Sequence, residues 1–382
     1  MTRTHDPDST RRGPPDQPLS TSGNPNPQKK SGLVIVDSSA APDTTNRWGM
    51  PIQLGDRRVL HPGRWRWLRA LAWLVLLFFL TAAAFGLPLQ AAVDRLPSGD
   101  GAAGLAARLI ACTAALGCYA LAVRLGEGRQ PCELALRPAL PGLASGALLG
   151  LVMMTALMGL LAVTGLYNIT LSGGAAPPWA GLGLALQAAV TEELWMRALL
   201  FRQLWRAFGP VPAFTVAALV FGALHLANPG ASPLAGATVV AAGLMFCVLY
   251  TVTGRLWVPI GVHLAWNLTQ GYLFGATVSG AGLGSWIALS TARPGAPVWL
   301  TGGGFGPEAS VLALITISAV TVGVLALARR RRTTPTPAVT SASARRQPST
   351  ASGLHRSGDV DPGTASTPLA TVTSDTPPKD TP

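Results

Sequence analysis

Seven acidic residues lie between Leu68 and Ala328, and five of them, Asp94, Asp100, Glu127, Glu133 and Glu308, map to links or to the ends of apolar runs. The other two, Glu192 and Glu193, sit inside such a run, and His225 and His263 sit inside two later ones. Ionisable groups at membrane depth are costly and mark function by default. A lone intramembrane histidine is usually satisfied by an interhelical hydrogen bond, but two imidazoles together with two carboxylates suit proton transfer to a reacting group. In Thr191-Glu192-Glu193-Leu194-Trp195-Met196-Arg197, Glu193 and Arg197 stand four residues apart, acid first, so they can pair along one helix face. Glu193 and Arg197 are therefore expected to be structural. Glu192 projects about 100° away with no partner on its own helix, leaving it free to act as a general base. His263 and Asn267 share the same spacing, which sets an imidazole and an amide side by side as donors to a developing oxyanion. Phe221 and His225 repeat it. For Phe221 ordinary core packing competes with a site-shaping role, and for Asn267 an interhelical hydrogen bond competes with catalysis.

These side chains need apolar helices to carry them. The 382 residues are 49% hydrophobic and 12% charged, with mean hydropathy +0.36. About eight apolar stretches of span length are expected. They fall near Leu68–Leu89, Ala102–Val123, Leu143–Tyr167, Trp179–Trp205, Val211–Ala227, Leu234–Val252, Leu256–Val278 and Ala309–Ala328. The fold class is thus an all-α, polytopic transmembrane helical bundle, with a transmembrane core at 61–332 between tails at 1–60 and 333–382. Both tails are rich in Pro, Ser and Thr, lack apolar periodicity and are expected to be disordered. Arg-rich links alternate with links almost free of positive charge, which predicts a multi-pass protein of the plasma membrane with both termini cytoplasmic. The net charge of +12 therefore reads as membrane-facing, and no nucleic acid is expected. Cys112, Cys118, Cys132 and Cys247 form no CxxC pair and imply no disulfide or zinc framework.

Glu192-Glu193-x-x-x-Arg197, Phe221-x-x-x-His225 and His263-x-x-x-Asn267, in this order on successive apolar runs, resemble the three motifs of the CPBP family, the CAAX proteases and bacteriocin-processing enzymes. The motif core covers 179–270. The stretch Gly302–Glu308 is also similar to a segment of bacterial members. The resemblance implies an intramembrane endopeptidase in which Glu192 and His225 activate water and His263 and Asn267 stabilise the oxyanion. Its partners would be the lipid bilayer and a peptide or membrane-protein substrate, prenylated or not. A zinc ion held by Glu192, His225 and His263 is chemically reasonable, but there is no HExxH, and glutamate catalysis without metal is favoured over a metalloprotease. Two other classes also account for buried Glu and His: a transporter or proton relay, and a non-catalytic, bacteriocin-immunity-type membrane protein.

Overall fold

The computed structural model describes residues 51–95, 101–171, 179–284 and 287–333. The disorder expected at 1–50 and 334–382 lies outside the described residues. The chain is an all-α bundle. Its elements are α1 (Arg66–Val93), α2 (Ala102–Ala122), α3 (Ala139–Val163), α4 (Trp179–Glu193), α5 (Arg202–Phe208), α6 (Pro210–His225), α7 (Pro233–Thr253), α8 (Trp257–Asn267), α9 (Val298–Thr301) and α10 (Val311–Thr333). Among the described residues five helices, running over Arg66–Val93, Ala102–Glu127, Ala139–Val163, Pro233–Thr253 and Val311–Arg330, are long and apolar enough to cross a membrane.

The expected count of eight differs for physical reasons. The run from Trp179 is α-helical only to Glu193 and then widens into a π-helix at Leu194–Phe201. The run from Val211 is a helix of 16 residues, started by Pro210, and the run from Leu256 leaves α geometry after Asn267 for a π turn at Leu268–Leu273. The motif-bearing helices are thus the short or interrupted ones, and the longer helices α3 and α7 pack against them. π turns recur at functional sites because they re-aim side chains within a continuous helix.

Short side chains let these helices approach closely. A Cβ built on Gly146 or Gly150 of α3 would lie 2.2 Å from the Val258 carbonyl oxygen or 2.4 Å from that of Val262. One on Gly261 of α8 would lie 2.4 Å from the Leu143 carbonyl oxygen. The helix carrying His263 and Asn267 therefore lies backbone to backbone on α3, a contact that membrane helices make through small residues. Outside the helices, β1 (Tyr167–Leu171) pairs antiparallel with β2 (Ala288–Ala292), Tyr167 facing Ala292. Two five-residue strands more than a hundred residues apart give too little periodicity to be seen in sequence.

Two boundary readings change. Residues 51–60 share the composition of the tail, yet Ile52 and Leu60 are buried, and Arg206 donates to the carbonyls of Gly55 and Leu60. Among the described residues the packing thus reaches back to Ile52. Glu127 and Glu133, assigned to a link, are buried as well. Arg202 grips Glu127 with two hydrogen bonds of 2.8 and 2.6 Å, and Trp73 and Arg129 donate to the same carboxylate. Arg129 continues to Glu133, which also accepts from the Tyr119 hydroxyl.

Burial would raise the Glu133 carboxyl above its ordinary 4.5, but the charge and hydrogen bonds of Arg129 prevail and hold it at about 2. Its folded value is depressed, so its contribution to stability is full above the unfolded value and is lost as pH falls from about 4.5 toward 2. Melting temperature in detergent should fall across that window, and Glu133→Gln should flatten the fall. An identical slope in the variant would assign the acid sensitivity to other groups.

Candidate active site

The π-helix after Glu193 keeps the acid and Arg197 together, with Arg197 Nε 3.0 Å from Glu193 Oε2. That contact is an ion pair whose angle is off-axis for a hydrogen bond. Both residues are buried. The Arg197 guanidinium lies between two aromatic faces, 4.5 Å from the Phe221 ring centre and 4.7 Å from that of Phe246, so ring quadrupoles supply the remaining counter-charge. Glu193 does a second job: its Oε1 lies 2.9 Å from Nδ1 of His263. Phe246 stacks on the same imidazole at 5.2 Å and 22°. Glu193 and Phe246 together fix the plane of the His263 ring.

His225 is held from the other side. Its Nδ1 donates to the Phe221 carbonyl over 2.8 Å. A carbonyl can only accept, so Nδ1 carries the proton and Nε2 of the neutral ring presents a lone pair. Phe221 packs on the ring at 4.7 Å. Both Nε2 atoms then face Glu192, whose Oε2 lies 3.8 Å from that of His225 and 3.9 Å from that of His263. Glu192 as a whole is 31% exposed, but this oxygen is buried and has no hydrogen-bond partner. Asn267, one turn beyond His263, lines a cavity together with Phe221, His225, Phe246 and His263.

Residues 174–269 match a family model described as type II CAAX prenyl endopeptidase Rce1-like. The match takes in the Glu192, Phe221 and His263 motifs and is consistent with a CPBP-family protease. It supports intramembrane endopeptidase activity and, with the apolar helices, a membrane protein acting on a peptide substrate. No curated protein and no solved structure matches the chain.

Zinc donors stand about 2.0 to 2.2 Å from the ion, which sets tetrahedral ligand atoms roughly 3.4 Å apart. Glu192, His225 and His263 are more widely spread, and among the described residues no three His, Cys, Asp or Glu side chains are disposed to hold a metal ion.

Three residues here escape sequence reasoning. Phe246 is one more aromatic in an apolar run. Glu308, assigned to a span end, is buried and lines the same cavity with Ser279. The signal for Glu308 was the Gly302–Glu308 stretch, whose glycines have a steric cause. Gly302 and Gly306 hold φ of +80 and +121, and a Cβ on either would fall within 2.1 Å of a backbone oxygen.

Proposed function

We propose that this chain is a membrane-embedded endopeptidase that hydrolyses a peptide bond with water activated by Glu192 and His225, the oxyanion being held by His263 and Asn267. One observation carries the reading: the buried, partnerless Oε2 of Glu192 directed between two imidazole Nε2 atoms. A carboxylate oxygen in that setting is an acceptor waiting for a proton.

In the proposed reaction a water molecule between Glu192 and His225 attacks the scissile carbonyl carbon as its proton passes to Glu192. The carbonyl oxygen becomes an oxyanion and accepts hydrogen bonds from Asn267 and from Nε2 of His263. For His263 to donate through Nε2 while Nδ1 donates to Glu193, its ring must be an imidazolium, and Glu192 and Glu193 supply the opposing charge. The proton then moves from Glu192 to the amide nitrogen, the C–N bond breaks, and an acid and an amine leave. His263→Ala and Asn267→Ala should each lower kcat by about 10² to 10³ with little change in KM, because they act where charge develops. An effect confined to KM would assign them to substrate binding.

The deciding experiment is comparative proteomics of cells carrying the intact protein or Glu192→Ala. A peptide cleaved with the former alone supports the endopeptidase. Identical peptide profiles together with Glu192-dependent solute flux would favour a transporter. The proposed location is the plasma membrane with both termini cytoplasmic, since Arg-rich links alternate along the chain. A C-terminal reporter active only outside the cell would refute that orientation.

A further inference from the structure

The cavity below His225, His263 and Asn267 carries a feature that the proposed hydrolysis does not use. Glu308 lines it, outside the segment 174–269 that matches the family model. It is the one acidic residue among those lining residues, and no Lys or Arg lines the cavity with it. Among the described residues no cation lies within ion-pair distance of its carboxylate, and Arg197 is committed to Glu193. Three donors fix it instead: Trp266 Nε1 at 3.0 Å on one oxygen, and the backbone N–H and hydroxyl of Ser279 at 2.6 and 2.7 Å on the other. Ser279 adopts φ +47 to supply both, a left-handed conformation that costs a serine energy and persists where its surroundings hold it.

The carboxylate is thus preorganised at a cavity wall rather than neutralised by a partner, and Oε2, which accepts from Trp266 alone, has accepting capacity left. Apolar Val239, Ala242, Met245 and Ile317 line the same cavity. An apolar lining that holds one fixed carboxylate matches an apolar stem ending in a cation. It opposes a free C-terminal carboxylate, because like charges in a partly desolvated site repel strongly.

We propose that Glu308 determines specificity, selecting substrates with a lysine or arginine side chain beside the cleaved bond. The proposal rests on the endopeptidase reading for the position of that bond and on the cavity alone for the charge preference. Binding therefore tests it apart from cleavage.

The probes are peptides identical except for Lys, norleucine or Glu at the positions flanking the bond, each with a free or an amidated C-terminus. Binding is measured to full-length Glu192→Gln protein in lipid nanodiscs, and to Glu192→Gln carrying Glu308→Gln or Glu308→Lys as well. The Lys peptide should bind the parent about tenfold tighter than norleucine, the lower end for a charge-assisted hydrogen bond, with the Glu peptide weakest. Glu308→Gln should abolish the difference, and Glu308→Lys should reverse it. Equal binding of all three peptides by the parent overturns the proposal, even if both Glu308 variants fail to fold. A Lys preference that survives Glu308→Gln, or tightest binding by peptides with a free C-terminal carboxylate, overturns it too. Lys-selective binding without cleavage by the Glu192-intact protein sustains the specificity site and refutes the endopeptidase reading.

Discussion

Glu192→Gln is expected to lower turnover of a cleaved peptide by about 10² to 10⁴ while leaving the melting temperature nearly unchanged. The amide keeps the volume and shape of the carboxylate, so nothing in the surrounding packing is disturbed. It loses the ability to take a proton from water. Because Oε2 has no hydrogen-bond partner to forfeit and meets the two imidazoles only at 3.8 and 3.9 Å, the fold gives up little beyond that long electrostatic contact. Turnover and melting curves on the same detergent preparation decide this, and a variant that turns over like the wild type refutes the proposed base. Chelation belongs in the same experiment. Treatment with a chelator should leave wild-type turnover intact, and a loss restored by zinc would replace the metal-free mechanism.

Glu193→Gln should fail in another way. Here the buried Arg197 loses its carboxylate and keeps two aromatic faces and a long hydrogen bond to the Gly243 carbonyl, and breaking a buried pair costs about 3 to 5 kcal/mol. Turnover should fall as well, since a Gln oxygen can still accept from His263 Nδ1 but no longer supplies the charge that opposes an imidazolium. The two consequences separate in a double variant. Adding Arg197→Met removes the stranded charge, so melting should recover in part while turnover stays low. Recovery of both would mean that Glu193 serves the fold alone, and recovery of neither would mean that Arg197 contributes mainly through its contacts with Phe221 and Phe246.

The contrast between these carboxylates could be read from spacing because charges are scarce in the apolar runs. A Glu-Glu pair with Arg four residues on, and two imidazoles with partners at the same interval, stand out against such a background, and the structure brings all of them to one place. What spacing could not show was the further reach of Glu193 to His263, a contact between residues 70 apart. Phe246 carried no signal because stacking on an imidazole leaves no trace in a run of apolar residues. Glu127, Glu133 and Glu308 were misjudged for a common reason. Each follows or precedes an apolar run, which suggests water, yet Arg129, Arg202, Ser279 and Trp266 arrive from distant positions to satisfy them. The interruptions at Leu194 and Leu268 were hidden too, because apolar content does not distinguish α from π winding.

The glycine contacts between α3 and α8 bear on how this enzyme can breathe. Where two backbones touch, there are no side chains between them to exchange rotamers, so that seam has few ways to give. His263 and Asn267 ride on the stiff side of the cavity. Val239, Ala242 and Met245 of α7 also line the cavity, and rotamer changes of such side chains cost far less than parting two backbones. Shape change in the cavity should therefore come from those side chains, with His263 and Asn267 moving as one body with α3.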